Sequence, residues 1–269
     1  MSDQRVVSEP NSPSRVPWVV AAASWVTTLV LVVMLVGGGL GGGADAGAGI
    51  AAERGFSSAE DAAEAFAHAL ADGDADAAAS MFATTSLVEG YSFALNVEYY
   101  DAFFPITPLP APDFNGVNAR VQAGYAGNSV ISIVRSLLIP GDDVFTTYSG
   151  LAAEDISAWE DALSLDSFDG VAVKRVDVLT QGNARSQFPR LYAEELDIWS
   201  ADEIREGAIL FDTSAGSAML GVTLIKIDGD WYVWRTGSAI LGAHPNAAEL
   251  TSEADYEESI ARGQELIGN

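Results

Sequence analysis

Two histidines and no cysteine occur in 269 residues, so any acid–base chemistry in this chain falls mainly to its 38 carboxylates and eight tyrosines. His68 follows Glu64 by one helical turn, and histidine is the commonest general base. On so alanine-rich a helix, a surface position is the plainer reading. Asp212 follows the apolar residues 209–211 and could point into a cavity as a carboxylate base; a solvated strand end is the commoner place for an acid. His244 precedes Pro245 near the end of the chain, far from His68. Two distant histidines without cysteine make no zinc pattern.

Asp72, Asp74 and Asp76 imitate the opening of a calcium loop. Ala77 stands where that loop needs glycine and Ala83 where it needs a bidentate glutamate, so a helix-capping role is favoured. The pairs Asp142-Asp143 and Glu194-Glu195 read as solvated acids rather than metal ligands. No Gly-x-Ser-x-Gly elbow is present, and nucleophilic catalysis lacks a candidate. No catalytic residue, cofactor or metal site is therefore assigned. Phe211, Trp231, Tyr232 and Trp234 could line a ligand pocket, since such sites are largely apolar and aromatic. The alternative is that they are ordinary core.

The elements that position these residues can be read from pattern. Ser57 and Ser58 each have an acid three residues on, a capping signature that opens a helix with Ala62, Phe66, Ala69 and Leu70 on one face. Asp72-Gly73-Asp74 stops it and caps a second helix running through Ala77 toward Phe82. Residues 91–99 alternate Tyr, Phe, Leu, Val, Tyr with polar or small residues, which predicts a strand. Four prolines between 105 and 112 predict an extended connection. Residues 129–139 read as helix or buried strand, with helix preferred. Residues 153–163 place Ile156, Trp159 and Leu163 on one helical face. A strand is expected at 171–179, and 190–205 reads as a polar, acidic insertion, helical or looped. Near the end, Asp228-Gly229 separates two apolar runs and predicts a type I′ hairpin with Lys226 opposite Trp231, Ile225 opposite Tyr232 and Leu224 opposite Val233. Tyr256, Ile260 and Ile267 mark one stripe of a last, acidic helix.

Location is the sharpest expectation. Residues 18–36 carry no charge, and as a helix they would be about 28 Å long, close to the ~30 Å hydrocarbon core. Arg5 and Arg15 precede the run and no base follows until Arg54, which favours a cytoplasmic N-terminus. A cleaved signal peptide is the rival reading, because Ala44-Asp45-Ala46 offers an A-x-A site, but the apolar run exceeds a signal h-region. Residues 37–49, glycine-rich and without packing side chains, read as a tether. All acids but Asp3 and Glu9 follow residue 44, so the later part carries the net charge of −25 and is unsuited to nucleic acid.

The stretch SSAEDAAEAFAHALADGDADAAASMFA at 57–83 and the strand-turn-strand LIKIDGDWYVW at 224–234 resemble the two ends of an NTF2-like domain, the cone family of the SnoaL and ketosteroid isomerase types. That resemblance implies an α+β cone with a curved antiparallel sheet and N-terminal helices. The expected organisation is a cytoplasmic tail at 1–16, a transmembrane helix at 17–36, a linker at 37–55, the domain at 56–243 with an insertion at about 100–204, and an acidic tail or helix at 244–269. The expected function is a single-pass, extracytoplasmic binding or accessory domain at the inner membrane, without catalysis, its partner an envelope protein or a small apolar ligand. The alternatives are a cone-fold isomerase or cyclase, or an accessory subunit of an envelope transport system.

Overall fold

Asp228 and Gly229 both adopt positive φ, 53° and 90°, and between them the chain reverses as an aspartate–glycine turn should. The computed structural model describes residues 52–101, 108–139, 165–180 and 188–268. In it the hairpin pairs Lys226 with Trp231, Ile225 with Tyr232 and Leu224 with Val233, the register expected. Its two strands, β3 (Gly216–Ile227) and β4 (Asp230–Thr236), belong to an antiparallel sheet in the order β1-β2-β3-β4, with β1 at Ala172–Val178, β2 at Glu203–Thr213 and the short β5 (Glu249–Leu250) also on β3. Register shifts at Val173/Arg175 and Thr223/Leu224 insert extra residues, which increase local twist and curve the sheet. The architecture is mixed α+β.

Helix α1 (Ala59–Ala71) starts where Ser58 accepts a hydrogen bond from the Asp61 amide, 3.0 Å, and stops at Gly73. Asp74 then caps α2 (Ala75–Ser80) by accepting from the Ala77 amide, 2.9 Å. Phe66, Leu70, Met81 and Phe82 pack with Phe211, Leu220, Leu224, Trp231 and Val233 to fill the first face of the sheet. Val130, Ile133 and Leu137 join that core from α5 (Asn115–Leu138), which follows α3 (Thr85–Gly90), α4 (Phe93–Tyr100) and a single 3-10 turn at Pro112–Phe114.

The second face is covered by α6 (Phe188–Trp199), by the segment around Ile240 and Leu241, and by α7 (Glu253–Gly268). Tyr256 of α7 is fully buried and donates to Asp177, 2.9 Å, and to the Ala208 carbonyl, 3.0 Å. Gly263 lets the same helix close in, since a Cβ there would lie 2.5 Å from Leu241. The C-terminal helix is thus part of the unit that begins at Gly49, not an appended tail.

Three expectations need correction. Residues 93–100 are helical, not a strand: Ser92 caps the turn by accepting from the Leu95 amide, and the β4 edge is already taken by backbone bonds to Phe56, Met81 and Ala83. The described part of 100–204 is not a separate insertion, because α5 fills the main core and β1 pairs with β2. Within it, 203–205 opens strand β2 rather than continuing a polar stretch. The apolar run at 17–36, the glycine-rich stretch, Asp142-Asp143 and the helix expected at 153–163 lie outside the described residues. No helix among the described residues is long and apolar enough to cross a membrane.

Candidate functional site

Strand β2 places Ile204, Glu206, Ala208 and Leu210 on one side of the sheet, and only the second of these is charged. Glu206 is 3% exposed. It pairs with Thr223, and Thr223 with Arg235, so three polar residues form one row across β2, β3 and β4. The β3/β4 bulge leaves Trp234 without a partner. That extra residue puts neighbouring Trp234 and Arg235 in reach of each other, and the guanidinium lies 3.6 Å from the indole centroid.

Helix α6 closes over the row. Tyr192 and Glu195, three residues apart and so on one helical face, both reach down to it. The Tyr192 hydroxyl donates to one Glu206 oxygen; Thr223 Oγ1 donates to the other at 3.2 Å, and the Ser238 hydroxyl adds a third bond. Burial pushes the Glu206 carboxyl above its ordinary value, against those three bonds and the charge of Arg235. Tyr192 is held well above the usual phenol range, first by burial and then by the neighbouring Glu206.

Toward solvent the row ends in a second carboxylate. Glu195 Oε1 accepts from Arg235 Nη2 at 3.0 Å and from the Tyr100 hydroxyl at 3.2 Å. Glu195 is buried, where the sequence suggested a solvated acid pair; the two tyrosines that close α4 explain it, since Tyr100 meets Glu195 and Tyr99 meets Glu194. Tyr125 of α5 is also raised by burial, with Arg235 acting in the opposite sense. In chemical terms this is a carboxyl biased toward its neutral form beside a tyrosine. Such a pair can stabilise a developing oxyanion if a substrate reaches it.

The four pocket candidates do not converge. Phe211 and Trp231 pack into the first-face core, whereas Tyr232 and Trp234 belong to the second. Trp234 alone touches the polar row. Asp212 is exposed and ion-paired with Lys174 at 3.4 Å. His68 is exposed on α1, and His244 lies 3.5 Å from Glu249. No family model matches the chain, and no curated protein matches it. Among solved structures it is similar to a cystatin-like protein from Ruminococcus gnavus, at 13% identity and a TM-score of 0.48, over 78% of this chain and 44% of that one. The chain therefore spans less than half the length of that structure.

Glu206, Tyr192 and Arg235 are the functional candidates that motif reasoning misses. A signal existed for Glu206: it is an acid in phase with Ile204, Ala208 and Leu210, all of which must face inward.

Proposed function

We propose that this chain is a single-pass inner-membrane protein with its N-terminus in the cytoplasm and an NTF2-like domain outside, which serves as a non-catalytic binding or accessory module. The observation that carries the non-catalytic part is the enclosure of Glu206. Tyr192, Thr223 and Ser238 take three of the carboxylate's about four acceptor positions, and the residue is 3% exposed under α6. A general base must come within hydrogen-bond reach of the proton it takes. Glu206 cannot do so without movement of α6. The membrane part rests on the uncharged run at 18–36 and the placement of Arg5 and Arg15. An envelope protein or a small apolar ligand is the partner this reading calls for.

The second reading, a cone-fold isomerase or cyclase, is favoured by one feature, the carboxyl beside a tyrosine hydroxyl. Deuterium exchange at the α-carbon of simple apolar ketones, followed by NMR with the full chain in detergent, separates the two. The non-catalytic reading expects the wild type and Glu206→Gln to match the uncatalysed rate. An acceleration of about 100-fold, the low end for a positioned base, that disappears in Glu206→Gln would contradict it.

A further inference from the structure

Helix α6 is fastened unevenly. Its C-terminal end is tied to the turn after α3: the Ser92 amide donates to the Ile198 carbonyl at 2.7 Å, the Ser200 hydroxyl donates to the Gly90 carbonyl at 2.7 Å, and Ile198 is 1% exposed. Gly90 permits that closeness, since a Cβ there would lie 2.3 Å from the Trp199 carbonyl oxygen. Trp199 adds ring contacts to Tyr91 and Trp234, with centroids 4.9 and 6.5 Å apart. One residue on, Ser200 takes φ 50° and the chain turns toward β2. Mid-helix the fastening is of another kind. Tyr192 and Glu195 hold α6 to the sheet through Glu206 and Arg235, and Tyr192 also packs against both apolar clusters of the second face, one containing Leu210 and the other Ile204.

We propose that α6 is a hinged cover that pivots at its C-terminal end, and that the bond from Tyr192 to the buried Glu206 carboxyl is a latch released when Glu206 ionises. A helix fixed at one end by apolar and backbone contacts, and at its middle by a titratable group, opens first where the titratable group is. Burial penalises the charged carboxylate while α6 is down, and lifting α6 admits the water that relieves it. A carboxyl raised in the closed form and ordinary in the hydrated open form favours closure below its ordinary value, near 4.5. That preference is lost as pH rises through the closed-form value. The groups facing Glu206 are Tyr192 and Glu195 from α6, Thr223 from β3, Arg235 from β4 and Ser238 from the segment after it. The three hydroxyls and Arg235 favour the charge, and burial outweighs them. Two residues along β2, at Ala208, Asp177 of β1 is already engaged by Tyr256 of α7 and by Arg175. Opened, Glu206 is a hydrated acid of ordinary strength and hence a weak base, so the cover leaves the non-catalytic reading in place.

Amide hydrogen exchange of the full chain in detergent, read by mass spectrometry from about pH 5 to about pH 8 and corrected for the intrinsic exchange rate at each pH, tests the cover. Peptides within residues 192–199 should lose protection by about tenfold or more as pH rises, while those within α1 keep theirs. Glu206→Gln, which cannot ionise, should make the α6 protection independent of pH. Tyr192→Phe should lower it already at the acid end, because the latch bond is gone while the carboxyl remains. Equal loss in α6 and α1 overturns the inference, since the domain would then loosen as a whole. So does α6 protection that ignores pH, or that changes alike in wild type and Glu206→Gln. If Glu206→Gln fails to fold, Tyr192→Phe decides: α6 protection equal to wild type at the acid end overturns the latch. Protection reads the cover alone, while catalysis is decided separately by the ketone exchange.

Discussion

Trp231→Ala should remove a large part of the stability margin of the domain. The indole is 4% exposed and packs in the first-face core with α1, and its backbone exchanges two hydrogen bonds with Phe56, 2.8 and 3.0 Å, at the edge of β4. Arg205 lies over the ring at 5.1 Å. Truncating a buried tryptophan typically costs ~3–5 kcal/mol, against ~5–15 kcal/mol for a whole domain. For a domain of this size the melting temperature should fall by roughly 6–20 °C. Gly229→Val should destabilise too, for a different reason, because a β-branched residue cannot sit comfortably at φ 90°. Circular dichroism melts of residues 49–269 measure both. Variants that melt within a degree or two of wild type would mean that the hairpin is not part of the core.

Glu206 gives the second large effect, and its sign depends on the substitution. Glu206→Ala leaves three buried hydroxyls without their acceptor, at ~1–3 kcal/mol for each one that finds no other. Thr223 retains the Gly237 carbonyl at 3.3 Å, so Tyr192 and Ser238 carry most of the loss. Glu206→Gln keeps an acceptor and removes the charge. Because burial raises this carboxyl above its unfolded value, the folded state holds the proton more tightly than the unfolded one. The contribution of Glu206 to stability is therefore full below the unfolded pKa, near 4.5, and declines as pH rises through the folded value. The difference in stability between wild type and Glu206→Gln, measured by urea melts from pH 4 upward, should shift progressively in favour of glutamine. A difference that is flat with pH, or that runs the other way, would show that the carboxyl is not held toward its neutral form.

Features set by local sequence were readable from it. The hairpin register, the serine and aspartate caps, the glycine at Gly73 and the Tyr256 stripe each depend on a few neighbouring residues, and each stands where the pattern puts it. Residues 93–100 show where that fails. Their alternation suits a strand, yet a strand needs a free edge, and at β4 the backbones of Phe56, Met81 and Ala83 take that place first. No period in the sequence records the competition.

The polar row was missed for a related reason. Glu206, Thr223 and Arg235 are separated along the chain and meet only through strand register, and the β3/β4 bulge that turns Trp234 and Arg235 together is a tertiary event. Composition argued for Glu194-Glu195 as a solvated pair. It could not show that α4 would end in two tyrosines directly against them. The aromatic pocket residues were chosen by type and proximity in sequence, but alternation along β4 sends Trp231 and Trp234 to opposite sides of the sheet.

The proposed N-terminal anchor would hold this α+β domain outside the cytoplasm. An alkaline phosphatase fused after Asn269 in a bacterial host tests it directly, since that enzyme folds to its active form only outside the cytoplasm. An active fusion that stays with the membrane fraction is expected. An inactive fusion, with a cytoplasmic reporter active at the same point, would contradict it.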